Sequence, residues 1–161
     1  MRKKLLIGAC LGVVGLAAGT VAVASASPDI ASAQTIALTG HITQFTPLDL
    51  GATGPSQGDE FVFSGTLSNR SDTQVGHFGG YVVLVKTGTA AQGEASVTFA
   101  LSGGQITFQN LQPQRAVPFE TAVTGGTGMF KNARGEGTVT ETSSTTFTVV
   151  LHLIPSAEGQ G

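Results

Sequence analysis

The sequence predicts an all-β fold, an eight-stranded antiparallel closed β-barrel preceded by a signal peptide, and three observations carry that prediction. From Thr35 onward the apolar residues follow a period of two, and no window of about 11 residues sustains a helical repeat. Segments rich in Thr, Val and Phe alternate with short runs of Gly, Asn, Ser or Pro, giving about eight strands at the spacing of a barrel or sandwich. Only 11% of the 161 residues are charged, less than half the roughly 25% of an average soluble domain. Long strands with so little charge are hazardous as exposed edges, and closure into a ring removes the edges. A sandwich would leave the first or the last strand in need of a partner, whereas a ring pairs them with each other. An eight-stranded ring is just wide enough to be filled by side chains or to hold one small ligand.

The elements follow in chain order. Arg2, Lys3 and Lys4 precede an apolar run from Leu5 to Val23 that ends in Ala24-Ser25-Ala26, a small-x-small site of the kind signal peptidase cuts. Residues 1–26 are therefore read as a secretory signal peptide, with a later cleavage site at Ala31-Ser32-Ala33. The run is long enough to span a bilayer, so an uncleaved anchor is the alternative. Gly8, Gly12, Gly15 and Gly19 weaken a permanent helix and favour cleavage. Cys10 leaves with the leader, and the exported domain folds without redox chemistry. Residues 27–34 form a flexible segment, 35–155 the barrel and 156–161 a flexible end. Strands are expected near Thr35–Phe45, Glu60–Asn69, Tyr81–Lys86, Glu94–Leu101, Gln105–Asn110, Phe119–Val123, Glu136–Glu141 and Thr145–Ile154. Turn chemistry marks the connections, as in Gly54-Pro55-Ser56-Gln57-Gly58 and Ser102-Gly103-Gly104.

Composition excludes several functions. The chain is 40% apolar with a formal net charge of -2, unlike a disordered protein. Eight Lys and Arg cannot make a basic stripe, so no nucleic-acid partner is expected. After leader removal five basic residues face ten acids, which opposes anionic membranes as well. No Ser lies in a G-x-S-x-G elbow and no dinucleotide fingerprint is present. His41, His77 and His152 lack ligand-like spacing, so neither a metal nor another cofactor is expected. An enzyme built from this chain would shape a reactive substrate in a mostly apolar interior with one or two orienting polar groups.

One segment is specific. Gly125-Gly126-Thr127-Gly128-Met129-Phe130-Lys131-Asn132-Ala133-Arg134-Gly135 resembles the GGTG-x-F-x-x-A-R-G signature of dirigent proteins and the related pattern of allene oxide cyclases. Three more segments fit the same families in order: Gly58-Asp59-Glu60-Phe61-Val62-Phe63, Val75-Gly76-His77-Phe78-Gly79-Gly80-Tyr81 and Gly104-Gln105-Ile106-Thr107-Phe108-Gln109. The resemblance covers roughly Thr35 to Ile154 and implies the same eight-stranded barrel. It also implies a homotrimer and a cofactor-independent isomerase or cyclase that directs the stereoselective cyclisation or coupling of a small hydrophobic or phenolic molecule. The alternative is a non-catalytic ligand-binding or structural barrel.

The resemblance further implies site residues. Arg134 matches the signature arginine and ranks first for catalysis, with Glu60 to pair with it or act as a base. The family register points His41, Thr43 and Phe45 inward, making His41 an acid or base, whereas simple amphipathicity buries Ile36, Leu38 and Ile42. Phe61, Phe63, Gly65 and Val82 face inward by the same pattern. Tyr81, the single phenol, is a hydrogen-bond donor to a ligand carbonyl, and Phe45, Phe61, Phe63, Val82 and Phe108 make the ligand-binding wall. Gly65 stands where plant cyclases place a polar amide. Glu94, Glu120, Glu136 and Glu141 read as solvated strand or turn residues.

Overall fold

A computed structural model describes residues 33–113 and 118–155. The leader and the end expected at 156–161 lie outside the described residues. Eight antiparallel strands close into a barrel in chain order: β1 (Gln34–Leu48), β2 (Glu60–Ser68), β3 (Gln74–Lys86), β4 (Gln92–Leu101), β5 (Gly104–Pro113), β6 (Phe119–Gly126), β7 (Gly135–Glu141) and β8 (Thr146–Leu153). The ring closes between β1 and β8, from Gln34 opposite Leu153 to His41 opposite Thr146.

Several strands run longer than the sequence pattern predicts, β1 to Leu48 and β5 to Pro113 among them, and two of the extensions take in glycine-rich stretches. β3 begins at Gln74, because the Gly76-to-Gly80 stretch pairs as strand instead of turning. β6 continues through Gly125 and Gly126, so the first half of the glycine run is strand and a 3-10 turn at Gly128–Phe130 follows it.

Alternation sorts the residues. On β2, Phe61, Phe63, Gly65 and Leu67 point inward, and their partners Val82, Gly80, Phe78 and Gly76 do the same on β3. Both expectations for β1 hold in part, because a bulge at Thr43 shifts the register between Ile42 and Gln44. Before the bulge Ile36, Leu38 and Ile42 face the interior, and after it Phe45 does. One inserted residue exchanges the two faces of a strand. Gly65 lies beside the bulge, and a Cβ there would fall on the carbonyl oxygen of His41. The bulge therefore requires glycine at position 65.

The barrel has a packed end and a hollow one. At the end where β2, β4, β6 and β8 finish, Leu67, Phe99, Ile106, Leu151 and Leu153 are at most 1% exposed. Phe130, carried inward by the 3-10 turn, and Ala133 seal that floor. Phe99 sets its ring edge-on to Phe108, centroids 4.8 Å apart, and also meets Phe78.

Candidate functional site

Toward the other end, where β1, β3, β5 and β7 finish, the interior opens into a cavity of about 340 Å³, within the range of small-molecule sites. Small residues make the space: Gly93 and Ala95 on β4 stand where larger side chains would fill it.

Its two walls differ in chemistry. The β1–β3 side is apolar, built from Ile42, Phe45, Phe61, Phe63, Val82 and Leu84. Phe45 stacks on Phe61 at the mouth, centroids 6.0 Å apart and planes 17° from parallel, and is 56% exposed. The β5–β8 side carries the polar groups: Asn110 and Gln112 on β5, Glu141 at the end of β7, Ser143 and Ser144 in the turn before β8, and Thr146 at the start of β8. The Asn110 side-chain amide donates to Gln112 Oε1 at 3.1 Å, which fixes two neighbouring inward side chains relative to each other. Phe108, Phe119 and Phe147 complete the aromatic lining.

Five of the six residues expected to bind a ligand line this cavity: Phe45, Phe61, Phe63, Val82 and Phe108. Tyr81 does not. It alternates outward on β3 beside Val62 and is 46% exposed. The three residues expected to be catalytic are not brought together. His41 precedes the bulge and faces outward between Thr66 and Thr146. Glu60 opens β2 on the outer face, beside Leu48 and Val83. Arg134 sits beyond the packed floor at the far end of the barrel, exposed, where its Nη1 donates to the Ala133 carbonyl at 2.7 Å and its own carbonyl accepts from Ile154 N–H. The backbone carbonyl of Arg134, and not its guanidinium, thus ties the β6–β7 connection to the end of β8. Among the described residues no group of three or more His, Cys, Asp and Glu is placed to hold a metal.

The polar residues of the cavity were legible by counting. Asn110 and Gln112 follow Phe108 at steps of two, and Glu141 follows Val139 at the same step, so each shares a face with a core residue. The charge of Glu141 and its nearness to a turn hid that parity.

The β1–β2 connection at the mouth is held by Asp59, which is 6% exposed. Its carboxylate accepts from Ser56 N–H at 2.7 Å, Leu50 N–H at 2.9 Å and Ser56 Oγ at 3.0 Å. The backbone bonds from Ser56 and Leu50 hold the carboxyl below the ordinary Asp range, against the opposing effect of burial. A carboxyl with a lowered folded pKa stabilises the native state above its unfolded value, and that contribution fades as pH falls through the folded value. The mouth loop is therefore expected to loosen below about pH 4. Amide exchange at Leu50 and Ser56, measured from neutral pH downward, checks this; protection that stays constant down to the Asp59 titration contradicts it.

Comparison with known proteins places the fold. No protein-family model and no curated protein sequence matches the chain. Among solved structures, a pyocyanin demethylase is 31% identical with a TM-score of 0.69, covering 74% of this chain and 99% of its own. A pterocarpan synthase dirigent protein is 15% identical with a TM-score of 0.63, covering 79% of this chain and 97% of its own. A Diels-Alderase from Streptomyces koyangensis is 13% identical with a TM-score of 0.65, covering 79% of this chain and 66% of its own. The latter two likenesses show the fold, a barrel shared with dirigent proteins and Diels-Alderases, and the first shows kinship: the chain belongs to the family of the pyocyanin demethylase.

Proposed function

We propose that this protein is a secreted, homotrimeric barrel that takes a small hydrophobic or phenolic molecule into its cup and directs its cyclisation or coupling, as a cofactor-independent isomerase or cyclase. The observation that carries the reading is the division of the cavity into an aromatic wall and a polar wall. A flexible precursor pressed against Phe61, Phe63 and Phe108, with its polar end on Asn110, Gln112 or Glu141, is held in few conformations. Fixing the reacting ends in one arrangement removes entropy from the barrier and selects one product. Coupling would act on radicals generated elsewhere, since it needs an oxidant, whereas a cyclisation that is an isomerisation needs none.

In this reading Arg134, His41, Glu60 and Tyr81 take no direct part, because none of them reaches the cavity. The outward pair Val62 and Tyr81, 41% and 46% exposed, is the apolar surface that supports the homotrimer. A second reading, demethylation of a small molecule with the methyl carbon and its electrons passing to a co-reactant supplied from solution, is favoured by the 31% identical relative, a pyocyanin demethylase. A non-catalytic binding barrel differs from both in leaving its ligand unchanged.

Filling the cup tests all three. Ala95 is 4% exposed and borders the cavity on β4, and an indole at that position would occupy most of the space while its ring stays among apolar neighbours. Native mass spectrometry of protein incubated with extract of its own host should find a small molecule retained by the wild type and at least about tenfold less by Ala95→Trp. Circular dichroism establishes that the variant is folded. Equal retention by both proteins overturns the proposal. The mass of the released compound, compared with the form supplied, separates turnover from plain binding.

A further inference from the structure

The charges of the described residues are divided between the two ends of the barrel. At the sealed floor Arg70 stands in the β2–β3 turn, and Lys131 and Arg134 in the β6–β7 connection, all three exposed, against Asp72 and Glu136. Toward the mouth Asp49, Asp59, Glu60, Glu94, Glu120 and Glu141 outnumber Lys86, the one described basic residue there. The overall excess of acids, which opposes an anionic membrane, hides a floor that is on balance basic.

Two apolar side chains are exposed on the same floor. Met129 is 54% exposed and lies over Gly103 of the β4–β5 turn, and Ile154, just past β8, is 56% exposed. The backbone beneath them is fixed. Met129 N–H donates to the Gly103 carbonyl at 2.8 Å, Lys131 N–H to that of Gly128 at 3.1 Å and Ile154 N–H to that of Arg134 at 2.9 Å. Basic groups around exposed apolar ones suit the surface of an anionic bilayer, whose headgroups attract cations and whose acyl boundary accepts apolar side chains. The mouth also exposes apolar residues, Phe45, Leu48, Leu50 and Leu111, but they stand among carboxylates that the same bilayer repels.

The chain also enters the barrel at the floor. β1 starts at Gln34, opposite Leu153, and the apolar run Leu5–Val23 ends eleven residues earlier. A link of that length reaches no more than about 40 Å when fully extended. While the run occupies a membrane, during export or as an anchor, the strand end it leads into is the floor.

We propose that the floor is a docking face for anionic phospholipid, with Arg70, Lys131 and Arg134 at the headgroups and Met129 and Ile154 in the acyl boundary. The mouth is thereby held toward the aqueous side. This stands apart from the reading of the cup as a ligand site and gives that site a direction: what fills the cup arrives through water, not out of the bilayer.

The chain contains no tryptophan, so a single one introduced reports its own surroundings. The exported protein is mixed with vesicles of phosphatidylcholine, alone or with about one third phosphatidylglycerol. Met129→Trp is expected to shift its emission to the blue with the anionic vesicles only, and Leu111→Trp, near the mouth, to keep its emission unchanged. In co-sedimentation the double variant Lys131→Glu/Arg134→Glu should bind at least about tenfold more weakly than the wild type, Lys86→Glu within about twofold of it, and added salt should weaken the wild type. Circular dichroism establishes that the variants are folded. Equal binding to neutral and anionic vesicles, or binding that survives the double floor variant, overturns the proposal. So does a blue shift at Leu111→Trp, which turns the mouth to the lipid. A protein that binds soluble polyphosphate through the same residues but no vesicle has a polymer site at its floor, and the proposal falls.

Discussion

Gly135→Ala is expected to lower the unfolding free energy by more than about 3 kcal/mol. Two independent effects add. Gly135 opens β7 with φ +146°, a backbone conformation that L side chains rarely adopt, and strain of that kind costs on the order of 1–3 kcal/mol. A Cβ there would also fall on the carbonyl oxygen of His152 and within 3.1 Å of Leu153 Cα, both on the paired strand β8. Backbone in a closed ring cannot step aside as a flexible side chain does, so the β7–β8 ladder must open or shift. Against a typical stability of about 5–15 kcal/mol, this is a large fraction. Urea denaturation checks it, and a midpoint unchanged from the wild type refutes it. Arg134→Ala provides the contrast. Its side chain is exposed and its resolved hydrogen bond goes to the adjacent carbonyl, so a change within about 1 kcal/mol is expected.

Phe99→Ala is expected to cost about 3–5 kcal/mol, the usual range for removing a fully buried phenylalanine. Phe99 is 0% exposed and is the largest of the fully buried side chains. It lies between the edge-on ring of Phe108 at 4.8 Å and that of Phe78 at 6.2 Å, so its loss leaves a void where the floor meets the cavity. The variant should show a lowered melting temperature together with weakened ligand retention, because Phe108 loses the ring that fixes its position. Phe99→Leu restores most of the volume and should recover more than half of the lost stability. Scanning calorimetry on the two variants checks both statements, and equal melting temperatures for Phe99→Ala and wild type contradict them.

The strand count, the closure of the ring and five of the cavity's apolar residues were legible in the sequence, because alternation and turn residues act locally and the family motifs set the register. What escaped was set by long-range pairing. The bulge at Thr43 has no local signature, and it alone decides that Ile42 and Phe45 can both face inward while His41 faces out. The signature arginine reads as chemistry in one dimension, but the strand it precedes begins at the packed floor, the far side of the barrel from the cup. Glu141 reads as a solvated strand-end carboxylate and is exposed; the parity carried over from Val139 adds that it stands on the cavity side.

A vessel sealed at one end has a single doorway. With Leu67, Ile106, Leu151 and Leu153 closing the floor, whatever enters past Phe45 and the Asp59-held loop must leave the same way. Arrival and departure then compete for one threshold. A second molecule cannot push the first through, so filling and emptying alternate strictly.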